Sequence, residues 1–267
     1  MRPFARLALI AAIPTTIVAG AGLAQVQSLE ANEVDGRRSG YLYLGEQTQA
    51  LQDDDFLNPG MFAVDGGREL WNRVEGSEGF ACASCHGGAE ENMRGVAAAF
   101  PRYDATRGGV INLELMINRE RVERMGAEAF AYESEELLAL TAYVANQSRG
   151  MPLVVDITGP AEPFFEAGRE FFFARRGQLD LSCAQCHDDH PGQLLRGDVV
   201  SQGQINGFPF FRLMWGSMGS THRMFEWCNE AVRAEPYPLG SDEYLNLELY
   251  VAWRGRGLLI ETPAVRR

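Results

Sequence analysis

The sequence predicts an all-α chain: two tandem helical units of one kind behind an extended N-terminal segment. Three observations carry this. First, a five-residue pattern occurs twice, as Cys82-Ala83-Ser84-Cys85-His86 and Cys183-Ala184-Gln185-Cys186-His187. Second, the surroundings repeat in order. Gly67-Arg68-Glu69 lies fifteen residues ahead of Cys82, and Gly168-Arg169-Glu170 fifteen ahead of Cys183. Phe100-Pro101 answers Phe208-Pro209, Tyr143-Val144-Ala145 answers Tyr250-Val251-Ala252, and Arg149-Gly150 answers Arg256-Gly257; such ordered anchors mark a duplicated unit. Third, the segments flanking each pattern carry apolar residues at helical spacing, with no strand–helix alternation.

Taken along the chain, residues 1–24 read as a secretory signal peptide. Arg2 and Arg6 give a positive start, Leu7 to Ala21 is mostly apolar and small, and Gly22-Leu23-Ala24 offers a cleavage site. The stretch is interrupted by Pro14, Thr15 and Thr16 and is short for a bilayer span of ~20 apolar residues. Residues 25–60 are acidic and polar, and are expected to wrap the surface or stay partly disordered. Residues 61–150 form the first unit, with a helix over Arg68–Val74 leading into the first motif and a second from Ser134 through Asn146. Ser134 suits an N-cap, and Glu135 and Glu136 suit the positive end of the helix dipole. Residues 151–162, with Pro152, Gly159 and Pro160, link the units. Residues 163–267 form the second unit, with a helix over Pro163–Arg175 ahead of its motif and another from Ser241 through Trp253. Gly108-Gly109 and the stretch from Gly203 to Gly219 read as loops.

The repeated pattern is C-x-x-C-H, the attachment signature of c-type haem. Two thiols bind the porphyrin and the adjacent histidine supplies an axial nitrogen. Neither copy is followed by a second Cys/His pair at zinc-finger spacing. Each unit then has the layout of a small cytochrome c-type domain holding one covalent haem c. Cys82, Cys85 and His86 serve the first and Cys183, Cys186 and His187 the second, with His86 and His187 as proximal ligands. Covalent haem behind a signal peptide points to the periplasm, and no later segment is long and apolar enough to span a bilayer.

The other axial positions are less uniform. Of four histidines, His190 follows His187 by three residues and stays on the proximal side, which leaves His222 as the one free histidine. Cys228 is the fifth cysteine and has no partner in the chain. It lies twenty residues after Phe208, and the residue twenty after Phe100 is Glu120. The repeat therefore puts Cys228 and Glu120 at matching sites, and iron ligation by Cys228 is the favoured reading over a buried inert thiol. For the first haem, Glu120, Met116, Met125 or no side chain at all remain open. The chain carries 24 basic and 36 acidic residues, a net of -12, and every basic residue is arginine. That balance argues against a nucleic-acid partner.

The stretch Ser220-Thr221-His222-Arg223-Met224-Phe225-Glu226-Trp227-Cys228-Asn229-Glu230-Ala231-Val232-Arg233-Ala234-Glu235-Pro236 resembles the cysteine region of the SoxA family, the catalytic cytochrome subunits of the SoxAX complex in thiosulfate oxidation. Thr48-Gln49-Ala50-Leu51-Gln52 with Asn58-Pro59-Gly60-Met61, Phe100-Pro101-Arg102-Tyr103-Asp104 and Ile111-Asn112-Leu113-Glu114 resemble other parts of it. The resemblance implies a heterodimer with a monohaem SoxX-type cytochrome, and oxidative attachment of thiosulfate to a cysteine of a SoxYZ-type carrier. It implies that Cys228 is the catalytic group, open to a persulfide form, with His187 trans to it. Two positions depart from the family pattern. Glu120 stands where the first haem's cysteine would be, and Met224 stands four residues before Cys228, where an arginine is usual. Arg223 is then the candidate substrate-holding residue and Arg233 a second. The competing functions are a non-catalytic dihaem electron-transfer subunit and a dihaem enzyme on another small substrate, such as a thiosulfate dehydrogenase or a peroxidase.

Overall fold

The computed structural model describes residues 32–267. The expected signal peptide lies outside the described residues. Within them the chain is mostly helical, but four small antiparallel or mixed sheets accompany the helices, so the all-α expectation is corrected.

The first unit is built on helices α2 (Met61–Asn72), α3 (Cys82–His86), α4 (Ala89–Asn92), α5 (Leu113–Met125) and α6 (Glu135–Asn146). The second repeats the plan with α7 (Glu162–Phe173), α8 (Cys183–His187), α9 (Thr221–Ala231) and α10 (Asp242–Arg254). In each unit the helix ahead of the motif crosses the last helix at a glycine. A Cβ on Gly67 would overlap the carbonyl of Ala139, and one on Gly168 would overlap that of Asn246. Only glycine lets the two backbones meet. Around these crossings Leu137, Leu138, Leu140 and Ala142 of α6, and Leu245, Leu247, Leu249 and Val251 of α10, are buried.

The expected helix ends hold where caps fix them. Ser134 accepts from the Leu137 N–H at 3.2 Å and Ser241 from that of Tyr244 at 3.4 Å, each worth about 1 kcal/mol. The helix expected over Arg68–Val74 instead starts at Met61 and stops at Asn72, because an isolated bridge between Glu75 and Phe80 turns the chain into the motif. Its counterpart, between Arg176 and Leu181, does the same in the second unit.

Three hairpins sit between a motif and the final helix of its unit. β3 (Arg102–Asp104) pairs antiparallel with β4 (Gly109–Ile111), and β7 (Phe210–Arg212) with β8 (Ser217–Gly219). Each hairpin follows a cis Phe–Pro bond and is followed at once by α5 or α9. Three-residue strands around tight turns carry too little alternation to read as strands. β5 (Leu194–Leu195) and β6 (Asp198–Val199) form a hairpin in the stretch by which the second unit is longer. β9 (Ala264–Arg266) runs parallel to β7 and completes a three-stranded sheet.

Of the segment before α2, residues 32–60 are described. After the small hairpin of β1 (Glu33–Val34) and β2 (Arg37–Arg38) comes α1 (Glu46–Asp53). Gln52 accepts from the Val265 N–H at 3.0 Å and from Arg266 at 2.6 Å, and Asn58 donates to the Pro263 carbonyl at 2.9 Å. Residues 151–162 are tied to both units: Leu153 exchanges main-chain bonds with Leu258 and Gly257, and Val154 donates to Ala98.

Candidate haem and thiol site

C-x-x-C-H on one helical turn puts the two sulfurs and the imidazole at i, i+3 and i+4, on one face. Both motifs are such turns. Ser182 and Gln185 cap α8 reciprocally, and the Ser84 hydroxyl accepts from the Ala81 N–H ahead of Cys82.

In the second unit the motif opens on a cavity of about 780 Å³ lined by Cys183, Cys186 and His187, and also by Cys228 on α9. Phe172, Ile205, Phe208, Phe210, Leu247 and Val251 supply much of its apolar wall. His187 Nδ1 lies 2.8 Å from the Ser201 carbonyl. Donating there fixes the tautomer that leaves Nε2 unprotonated for a metal. Burial, the largest influence, lowers the His187 pKa and favours that neutral form. Gly203 packs on the ring so closely that a Cβ would come 2.9 Å from the His187 Cγ. Size, apolar lining and donor set all fit a covalently held haem.

Cys228 is the spare thiol of this cavity. Burial pushes it up to about 12, Cys183 and Cys186 push the same way, and Arg212 opposes them. The protein alone keeps it a thiol; a metal cation at the cavity is what would favour the thiolate. Arg212 is the missed residue. Its side chain is 5% exposed and pairs with Asp198 at 3.2 Å. The guanidinium lies over Trp227 at 4.4 Å and Trp215 at 4.9 Å, and lines the cavity with Cys228. It stands four residues after Phe208, at the place Asp104 holds after Phe100. That charge reversal between the repeats was the available signal.

The two arginines expected from sequence are elsewhere. Arg223 donates to the Ser217 hydroxyl and the Met218 carbonyl, both at 3.1 Å, and stacks on Trp215 at 4.2 Å. It braces the tryptophan shared with Arg212 and is not among the residues lining the cavity. Arg233 is exposed in the turn after α9, at φ +59. His222, the free histidine, is also corrected. It is fully buried; Nδ1 accepts from the Gly240 N–H at 3.0 Å and Nε2 lies 3.0 Å from Glu248, so neither ring nitrogen is left for iron. His190 is exposed, with Nδ1 2.5 Å from the Gln185 carbonyl.

His222 belongs to a buried polar cluster where the two units meet. Glu248 also accepts from Asn112 at 3.0 Å, Tyr132 stacks on the imidazole at 5.2 Å, and Glu114 and Glu248 line one small cavity of about 60 Å³. Burial, with Glu248 and then Glu133 adding to it, raises the Glu114 carboxyl well above the usual range.

The first motif is more open. Cys82 is half-buried, while Cys85 and His86 are exposed, the imidazole facing Trp71 at 5.7 Å. A constant offset of 108 residues relates Arg102 to Phe210, Gly109 to Ser217 and Leu113 to Thr221, which carries Cys228 onto Glu120. Glu120 has Arg124 as its ion-pair partner, at 3.9 Å. Met116, matching Met224, accepts from Arg119 at 3.0 Å, and Met125 is buried at the end of α5.

Duplicated helical units, each presenting the C-x-x-C-H donor set, define a c-type cytochrome. A family described as "SoxA/TsdA, cytochrome c domain" matches residues 66–153. Among curated relatives, the L-cysteine S-thiosulfotransferase subunit SoxA of Pseudaminobacter salicylatoxidans is 45% identical over 89% of this chain and 84% of its own length. That of Rhodovulum sulfidophilum is 46% identical over 88% and 82%. The crystal structure of SoxXA from P. pantotrophus contains a chain matching with a TM-score of 0.84 at 41% identity, over 91% of this chain and 90% of that one. The chain belongs to the SoxA family of L-cysteine S-thiosulfotransferase subunits.

Proposed function

We propose that the protein is the catalytic subunit of a periplasmic thiosulfate-oxidising complex, with haem c on Cys82/Cys85 and on Cys183/Cys186. Its work is the oxidative joining of thiosulfate to a cysteine of a SoxYZ-type carrier, beside a SoxX-type monohaem cytochrome that passes electrons on. The carrier thiolate and thiosulfate form one S–S bond, give the S-thiosulfonate and release two electrons. A haem bound in the second cavity supplies a one-electron acceptor and a positive centre next to Cys228. His187, oriented by Ser201, would be its proximal ligand.

The observation that carries this reading is the placement of a spare thiol, Cys228, in the cavity that also holds Cys183, Cys186 and His187. Cys228 is the residue through which sulfur would pass by thiol exchange. Arg212 holds the dianion by charge-assisted hydrogen bonds, a stronger role in a buried setting than at the surface. Arg223 acts through Trp215, positioning Arg212 rather than touching substrate. No helix among the described residues is long and apolar enough to cross a membrane.

The test is Cys228→Ala in the holoprotein, with both haems counted by intact mass. Thiosulfate-dependent turnover with a carrier thiol should fall by about 10³-fold or more, the scale of removing a covalent catalyst. Unchanged turnover with intact haem would reduce the protein to an electron carrier.

A further inference from the structure

We infer that the iron at the first motif has no strong-field side chain opposite His86 and is a binding site for small exogenous haem ligands such as cyanide. This rests on the reading that haem c is attached at Cys82 and Cys85.

The helix that matches α9 leaves few alternatives. A strong second ligand must be imidazole, thiolate, thioether or amine. The chain has no lysine. His187 faces the second cavity, His190 is exposed beside Gln185, and both nitrogens of His222 are consumed. The fifth cysteine lies in the second cavity. The thioethers on the matching helix are Met116 and Met125. Met125 is five residues beyond Glu120, which at ~100° per residue turns it well away from the Glu120 face. Met116 does share that face, but its sulfur takes an N–H from Arg119, which Asp104 holds at 2.8 Å. Met224 in the second unit takes an Arg212 N–H at 3.5 Å in the same way. In both units this methionine is an arginine acceptor one helical turn before the place of Cys228 or Glu120. At the place that matches Cys228 the first unit has Glu120, a weak-field carboxylate with Arg124 at 3.9 Å.

The covering of the histidine itself also differs between the units. In the second unit the residues after the motif bring Ser201 and Gly203 onto His187. The first unit is seven residues shorter between its histidine and its Phe-Pro pair, and His86 and Cys85 are exposed.

The experiment uses ferric holoprotein whose mass shows two haems; a mass with one haem would defeat the attachment reading itself, and the inference with it. Electron paramagnetic resonance should show one high-spin and one low-spin haem per chain. Cyanide titration should convert the high-spin haem with one equivalent bound. Glu120→Cys should abolish both the high-spin signal and the cyanide uptake. Two low-spin haems in the unaltered protein, with no cyanide bound, would overturn the inference. High spin appearing only in Met116→Leu would overturn it equally and assign Met116 as the ligand.

Discussion

The two units share one backbone and the C-x-x-C-H motif, and differ at the positions gathered around the spare thiol of the second. With the offset of 108 residues, Cys228 faces Glu120, Arg212 faces Asp104 and Trp227 faces Arg119. In the second unit a buried arginine is held between two tryptophans next to a thiol. In the first, charges of that place pair with each other, Arg119 on Asp104 at 2.8 Å. The second unit adds the β5–β6 hairpin and the Ser201 carbonyl over its histidine, while the first leaves His86 exposed. Duplication preserved the scaffold and let the chemistry diverge through side chains and one insertion, which is how a fold carries different functions.

The comparison breaks hardest at the helix crossings, where the units are most alike. Gly67→Ala and Gly168→Ala each force a methyl onto a main-chain carbonyl that cannot move aside. Each should cost about 3 kcal/mol, the upper range for overpacking, read as a lowered denaturant midpoint of the holoprotein. A large loss for Gly168 and none for Gly67 would show that the first unit is no longer packed as its twin.

Next is the charge that separates the two sites. Arg212→Leu should reduce kcat/KM for thiosulfate by ~10–100-fold, the scale of one or two charge-assisted bonds. Arg223→Leu, which touches Trp215 but does not line the cavity, should reduce it by less. An equal or larger effect at Arg223 would return it to the role the sequence suggested.

How much of this was legible follows the range of the signals. The motifs, their repetition, and the final helices with caps Ser134 and Ser241 are local, and each was readable within a dozen residues. Cys228 was found because the repeat supplied a ruler. Arg212 was not, because its link to Cys228 joins a strand to a helix sixteen residues on and depends on burial. His222 read as a free ligand because nothing local announces Gly240 and Glu248, which come from other elements. The strands were missed because three residues with a partner across a turn look like loop. For the N-terminal segment the acidity left wrapping and partial disorder both open, because the partners of Gln52 and Asn58 lie in a tail more than two hundred residues away.

A smaller effect tests the seam between the units. The Glu114 carboxyl is raised by burial and by Glu248 and Glu133, so the native state holds this proton more tightly than the unfolded chain does. The stability this contributes is fully present below its ordinary 4.5 and is lost as pH rises through the raised folded value. Tyr132, His222 and Asn112 face the same cluster and would still be present in Glu114→Gln. That variant should flatten the decline of the urea midpoint between about pH 5 and pH 8, by on the order of 1–2 kcal/mol. An unchanged slope would place the proton on another group of the cluster.

The smallest effect lies at the end of α9. In the first unit α5 ends at Gly126, in the left-handed region at φ +62; in the second the same place is Arg233, at φ +59. Behind each lies a close approach by Gly76 or Gly177 to the turn's backbone, so the turn is required whichever residue makes it. A non-glycine residue there costs about 1–2 kcal/mol, partly offset by the lower entropy of its unfolded chain. Arg233→Gly should therefore raise the midpoint by an amount worth less than about 1 kcal/mol and leave thiosulfate turnover unchanged. A drop in turnover without loss of stability would mean that the exposed guanidinium meets substrate or carrier, and that the second unit uses this turn for chemistry that Gly126 cannot provide in the first.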